Sequence, residues 1–415
     1  MPFFRLSDLS KHLPRIAVKR WFLSLALVLA STLAHASDAA GRDWRTLAAQ
    51  AKGQTVYFNA WAGSEAINAY IQWVAAAVQA QYGVTLKHVK IADIADVVNR
   101  VRAEKQAGRD RTSGTVDLMW INGENFAAMK QDGLLGEPFT QDLPNFQWVD
   151  TVNKPTTLID FSVPTDGLEA PWGMAQLTFF SDSKRVPNPP IDLETFASLA
   201  QQFPGRLTYP RPPDFHGTTF LKQVMLATAP DMAVFTKPAT DADFQTANAP
   251  MWRYLDKLHP ALWRQGQQFP NTASAMTQML ADGELLVSLT FNPNEAANEI
   301  ASKRLPDSVQ SWQFKAGTIG NTHFVAIPFN APSRAGASVV ANFLLSPEAQ
   351  ARKANIDVWG DPTVLAVSRL PAAQQALFQG GVKPGQLTQA APVLPEPHAS
   401  WVDKIEKEWI RRYAR

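Results

Sequence analysis

Residues 54–89 read QTVYFNAWAGSEAINAYIQWVAAAVQAQYGVTLKHV. Gln54–Asn59 is a run of β-branched, aromatic and small residues and predicts a strand. A loop with Trp61, Gly63 and Ser64 follows. From Glu65 to Tyr82 the residues Ile67, Ile71, Val74 and Val78 recur at helical spacing, and Ser64 is placed as the N-cap. Gly83 ends that helix, because glycine enters the left-handed region at no steric cost. Val84–Val89 then alternates like a second strand. Two strands joined by a helix of this length make a parallel βαβ unit.

The same grammar continues outward. Ile94, Val97, Val98 and Val101 mark a helix that stops at Gly108. Val116–Ile121 (VDLMWI) is nearly continuous apolar sequence, as a strand covered on both faces requires. Asn122–Asn125 turns into the next short helix. In open parallel sheets, ligands bind at the carboxyl ends of strands. Trp61–Glu65 and Asn122–Asn125 occupy such positions.

A Pro-punctuated stretch over 138–171 breaks the pattern. Ala170–Ser181 reads as a long extended crossover. Beyond it, Arg206–Tyr209 predicts a short strand, and Pro210–His216 leads into a helix from about Thr218. Leu285–Phe291 is a buried strand ending in Asn292-Pro293-Asn294-Glu295. His323–Pro328 predicts a returning strand. Gly336–Leu345 and Pro347–Ala354 are helical, with Ser346 and Pro347 as N-cap and first residue of the second. The tail, Trp401–Arg415, puts Trp401, Ile405 and Trp409 on one helix face. The expected fold is α/β with two lobes, each a mainly parallel sheet flanked by helices, joined by a hinge of extended crossovers. The expected limits are 37–171 plus 312–365 for lobe 1, 172–311 for lobe 2, and 366–415 for a helical tail.

Residues 1–36 carry Arg5, Lys11, Arg15, Lys19 and Arg20 against one acid, then the apolar run Trp21–Leu33 and the small-x-small end Ala34-His35-Ala36. This is the grammar of a secretory signal peptide cleaved near Ala36. Its apolar run is shorter than the ~20 residues a membrane span needs. Without the leader, 34 basic and 36 acidic residues remain, a net charge of −2. A near-neutral body gives no electrostatic reason to expect nucleic-acid binding. The chain has no cysteine, which excludes disulfides, thiolate chemistry and a lipid-anchored mature N-terminus. A freely diffusing periplasmic protein is expected, as a monomer.

Several ordered segments resemble the extracellular solute-binding proteins of ABC importers. The clearest is Asn321–Gln350, NTHFVAIPFNAPSRAGASVVANFLLSPEAQ. Within that superfamily, YFNAWAGSEAINAYIQWV (57–74), DLMWINGENFAAMKQDGLLG (117–136) and APWGMAQLTFFSDSKRV (170–186) resemble the YnjB-type subgroup. The resemblance implies a two-lobed type II periplasmic-binding fold. It implies a small-molecule solute taken between the lobes, and an inner-membrane permease with its ATPase as partners. It implies no catalysis and no cofactor.

Each candidate ligand residue has a structural alternative. Trp61, Gly63, Ser64 and Glu65 offer an aromatic wall and a helix N-terminus, or only a cap with a favourable carboxylate. Asn122, Glu124 and Asn125 face a cleft or form a polar turn. Trp172 lines the cleft or packs the hinge. His216, Thr218 and Thr219 hold a ligand or cap a helix, and a lone His216 is a poor metal ligand. Asn292 and Glu295 bind or begin a helix. Trp359 closes over the cleft or packs on a helix. If most face one cleft, its lining is aromatic and acidic, which suits an organic cation such as a thiamine-like or polyamine-like compound. Helix N-termini argue for an anion instead. No G-x-S-x-G, H-E-x-x-H or phosphate-loop motif is present. An exported enzyme using paired carboxylates and a ligand-sensing receptor subunit remain as rival classes.

Overall fold

The structure, a computed structural model, describes residues 44–387, 389 and 391–414. The leader and its cleavage point lie outside the described residues. Among the described residues no helix is long and apolar enough to cross a membrane.

The opening unit forms as its sequence dictates. Strand β1 (Thr55–Trp61) leads to helix α1 (Glu65–Tyr82) and strand β2 (Thr85–Ile91). Ser64 caps α1 by accepting from Ile67 N, and Gly83 closes it at φ 68°. The buried face of α1 is Ile67, Tyr70, Ile71, Val74 and Val78. Each such side chain contributes about 1.5–3 kcal/mol when fully buried. Helix α2 (Ile94–Gln106), strand β3 (Leu118–Ile121) and helix α3 (Glu124–Gln131) follow. β1 lies between β2 and β3 and runs parallel to both.

The chain leaves this sheet through β4 (Glu169–Gln176) and enters a second one through β5 (Thr178–Asp182). Helices α4 (Leu193–Gln202), α5 (Phe215–Thr228), α6 (Ala249–Leu258) and α7 (Ala273–Ala281) come next. Strand β6 (Val287–Thr290), helix α8 (Glu295–Ala301) and strand β7 (Val309–Trp312) complete the outward excursion. Strand β8 (Thr318–Ala326) returns to the first sheet, antiparallel to both β3 and β4. Helices α9 (Arg334–Leu344) and α10 (Pro347–Ala354) cover that sheet. Strand β9 (Val393–Leu394) pairs with the start of β8, and helix α11 (Ser400–Tyr413) ends the described chain.

Three expectations need correction. The second sheet, β6–β5–β7, is antiparallel throughout rather than mainly parallel. Strands β5 and β6 are buried on both faces over Thr178–Ser181 and Val287–Thr290, and such a run looks the same in either direction. Arg206–Tyr209 is not a strand. It makes single backbone bonds to Leu286 and Trp263, and Pro204 and Pro210 at its flanks lack the N–H groups a ladder needs. The expected lobe limits at 171/172 and 311/312 fall inside β4 and β7. The sheets place the crossings at Leu177 and between Trp312 and Thr318.

Two large cores result. One holds Phe58, Tyr70, Trp172, Phe343 and Trp359. The other holds Phe179, Phe196, Phe220 and Trp312, and also Trp401, Ile405 and Trp409 from α11. The tail is therefore built into the second core. Helix α5 is buried from Gly217 to Leu226, including Lys222 and Gln223. Gln223 is spent at the crossing, where its Oε1 accepts from Ile319 N at 2.8 Å.

Candidate functional site

The residues named from the sequence sit on strand-end loops and helix starts. Trp61 is the last residue of β1 and is 39% exposed. Its ring lies over Gly63, where a Cβ would collide with it. Ser64 serves as the cap, and Glu65 begins α1 with an exposed side chain. Asn122 follows β3. Gly123 takes φ +65° under the ring of Phe161, 2.8 Å from where its Cβ would be. Gly123 N donates to Asp160 Oδ2 at 2.6 Å. Glu124 then opens α3, with Asn125 Nδ2 donating to it at 3.2 Å.

From the second lobe, Asp214 caps α5 by accepting from His216 N and Gly217 N. His216 sits beside Asp214 at 3.7 Å. Thr218 and Thr219 therefore do not cap the helix. Thr218 Oγ1 donates to Glu406 Oε1 on α11 at 2.7 Å. Thr219 is fully buried and its hydroxyl has no partner. Asn292 Nδ2 donates to Trp359 O at 3.2 Å, and Glu295 begins α8.

Trp172 and Trp359 sit in the first core, 0% and 4% exposed. Trp172 packs against Trp120 at 5.0 Å and Trp359 at 5.4 Å. Their placement matches hinge and helix packing rather than a cleft wall. The Trp359–Gly360 backbone instead forms a clasp with the other lobe. Asn298 Nδ2 donates to Trp359 O at 2.5 Å, and Asn294 Nδ2 donates to Gly360 O. Gly360, at φ +78°, is required there, since a Cβ would stand 2.8 Å from Asn294 Cβ.

Several neighbours of these residues were not legible in the sequence as candidates. Lys222 Nζ is buried 2.6 Å from Glu396 Oε2, with the Phe161 ring at 4.4 Å and the Phe215 ring at 5.6 Å. Phe215 is 38% exposed and meets Phe291 edge-on at 5.1 Å. Asn321 Nδ2 donates to Glu396 Oε1 at 3.3 Å. Arg304 forks onto Glu299 at 2.5 and 2.6 Å and also feels Glu295 and Glu65. The charge of Glu65, at the start of α1 in one lobe, is thus felt by Arg304 in the other. A lysine inside the apolar run FHGTTFLKQVML was the one signal available for Lys222.

The electrostatics follow from enclosure. Burial pushes the Glu295 carboxyl up to about 7, with Glu299 adding to it and His216 opposing. Burial likewise pushes Glu406 up to about 7, helped by the charge of Glu124 and opposed by Lys222 and the Thr218 bond. Glu124 keeps an exposed edge, yet protein surrounds it on its other sides. That desolvation raises it, with Lys222 opposing and Glu396 and Asp93 adding. Asp160 and Glu169 are buried and held well above the ordinary range by desolvation. The nearby cations are already engaged: Lys222 with Glu396, Arg304 with Glu299. Among the described residues, Glu65, Glu124, Glu295 and Glu406 have no basic partner of their own at salt-bridge distance. Nor is any group of three or more described side chains arranged to hold a metal ion.

The sequence pattern of the family described as bacterial extracellular solute-binding protein matches residues 72–379. The Escherichia coli K12 protein YnjB is 49% identical over 393 residues, covering 95% of this chain and 98% of its own length. Among solved structures, the periplasmic binding protein AfuA of Actinobacillus pleuropneumoniae, with fructose-6-phosphate bound, superposes with a TM-score of 0.59. It is 13% identical, and the match covers 87% of this chain and 99% of AfuA. The spermidine/putrescine substrate-binding protein PotD of Streptococcus pneumoniae gives 0.54 at 13% identity, covering 86% and 98%. These two likenesses show a shared two-lobed periplasmic-binding fold.

Proposed function

The chain belongs to the bacterial extracellular solute-binding proteins of ABC transporters, and from that premise we propose that it captures an organic cation between its lobes and delivers it to an inner-membrane permease. The observation that carries this reading is the set of glutamates at the lobe junction. Glu65 and Glu124 come from one lobe, Glu295 from the other, and Glu406 from the tail. None has a cation of its own among the described residues, and Phe215 and Trp61 offer aromatic faces nearby. A bound cation would gain charge pairing and ring contact, in a site whose enclosure strengthens both.

The rival pull, toward an anion at helix N-termini, is met by the same residues. Glu65, Glu124 and Glu295 are the first residues of α1, α3 and α8. Each complements its own helix dipole, so an anionic ligand would meet a carboxylate at each of these ends. Hinge closure then buries the solute without any chemistry on it. The protein would act in the periplasm as a monomer, with no cofactor and no nucleic-acid partner.

A thermal-shift screen with thiamine, spermidine, choline and sugar phosphates tests this. Binding of a cation raises the melting temperature by mass action, and the compound is recovered unchanged. A shift with sugar phosphates alone would reverse the assignment of charge. Turnover of a bound compound would end the importer reading.

A further inference from the structure

We infer that the C-terminal segment Val393–Tyr413 is part of the solute site, with Glu406 contacting a cationic group of the solute. This rests on the organic-cation reading above. The segment touches both lobes. Val393 and Leu394 pair with Thr318 and Ile319 of β8. Gln176 Nε2 donates to Ala391 O and Pro392 O at 3.2 Å each. Ser162 Oγ donates to Glu396 O at 3.0 Å, and Ala399 N to Phe161 O at 3.2 Å. Helix α11 then drives Trp401, Ile405 and Trp409 into the second core. That anchoring aims the half-buried Glu406 at the first turn of α5, where Thr218 holds it.

Two acids of the segment meet the junction differently. Glu396 is consumed by Lys222 and Asn321. Glu406 receives a single hydroxyl donor, and a carboxylate accepts several more. Around them, buried polar atoms stand without partners. Asp160 Oδ1 has none, although its carboxyl is 1% exposed and its nearest charges are Glu124, Glu396 and Lys222. Asn321, 4% exposed, gives its amide to Glu396 and leaves Oδ1 unpaired. The Asn321 acceptor calls for a donor, and a protonated amine or amidine brings several; Asp160, held well above the ordinary carboxylate range by burial, carries a proton of its own.

The charges facing Glu406 are Glu124 from α3, Lys222 from α5 and Asp403 on its own helix. With its carboxyl pushed up to about 7, Glu406 exchanges its proton near neutrality. A cation that displaces that proton binds more tightly as pH rises through this range. The family pattern ends at residue 379. The segment Val393–Tyr413 lies beyond that matched stretch.

The test is calorimetry on the full mature protein with thiamine, spermidine and choline as probes. Wild type is compared with Glu406→Gln, Thr218→Val, Glu124→Gln and Glu408→Gln. Glutamine keeps the acceptor for Thr218 and removes the charge. Glu406→Gln should weaken the probe that binds wild type by at least about tenfold and flatten the rise in affinity between about pH 6 and 8. Thr218→Val, which breaks the same bond but keeps the charge, should stay within about threefold and keep the rise in affinity with pH, moved to higher pH because the Thr218 bond no longer holds the carboxyl down. Glu408→Gln, which loses only its pairing with Arg411 and Arg412, should change neither. If Glu406→Gln matches wild type in affinity and pH profile while Glu124→Gln weakens binding, the tail is structural and the cation reading stands. If Thr218→Val and Glu406→Gln weaken binding equally with the pH profile unchanged, Glu406 is again only structural. If no probe binds wild type, both readings fall.

Discussion

Among the described residues two lysine–carboxylate pairs are fully buried, and they have opposite characters. Lys353 and Asp361 lie in the first lobe, walled by Trp172 and Trp359, with the Lys353 ammonium 5.2 Å from the Trp359 ring. His323 Nε2 stands 3.1 Å from Asp361 Oδ1 and completes the pair. Burial works to raise Asp361, yet Lys353 and His323 hold it below the ordinary range. Lys222 and Glu396 lie at the lobe junction beside Glu124, Asp160 and Glu406. There burial prevails over Lys222 and raises Glu396. The first pair is electrically closed. The second is one cation among four acids, Glu396, Glu124, Asp160 and Glu406, each raised by burial.

The largest test of this contrast is Lys353→Met. Removing one partner of a closed buried pair strands the other charge, and about 3–5 kcal/mol should be lost in urea unfolding. Lys222→Met should cost less, roughly 1–3 kcal/mol, because Glu396 can take up a proton and become neutral. That cost should be smaller at low pH than at high pH. The same variant should bind an organic cation more tightly, since it removes the competing charge. Equal, pH-independent losses at the two sites would erase the contrast.

A third prediction follows from Glu295, raised from its ordinary value of 4.5 to about 7 in the fold. A carboxyl raised on folding contributes stability that is fully present below the unfolded value and is lost as pH rises through the folded one. Comparing wild type with Glu295→Gln should therefore show wild type losing roughly 1–3 kcal/mol of relative stability between about pH 4.5 and 7. A saturating cation should shrink that difference. The smallest effect belongs to Trp61→Ala. Its partly exposed ring should change stability by no more than about 1 kcal/mol. Cation affinity should fall about three- to tenfold if the ring meets the ligand, and unchanged affinity would remove Trp61 from the site.

The βαβ opening was readable because each of its signals has one physical meaning: Ser64 as cap, Gly83 as left-handed stop, four apolar residues at helical spacing. The direction of the second sheet was not, since a strand covered on both faces carries no mark of its neighbours' polarity. Trp172 and Trp359 were ambiguous for a related reason. A tryptophan at a strand end serves a core or a cleft equally well, and only the ring-to-ring packing distinguishes them. Asn292 and Asn294 looked like turn residues, but their amides clasp the carbonyls of Trp359 and Gly360, a pairing across about 66 residues that no local pattern encodes. Glu406 was hidden most completely. On an amphipathic helix an acid beside the buried face looks like any solvated acid, and its meaning comes from Thr218 and Glu124 on other elements.

The place of α11 in the second core also bears on how that lobe holds together. Trp401, Ile405 and Trp409 lie more than 85 residues beyond β7, the last strand of the second sheet, yet they pack in its core. Without them the second lobe lacks three buried apolar side chains. Loosening α11 would therefore leave a cavity in a lobe whose own strands and helices stay intact.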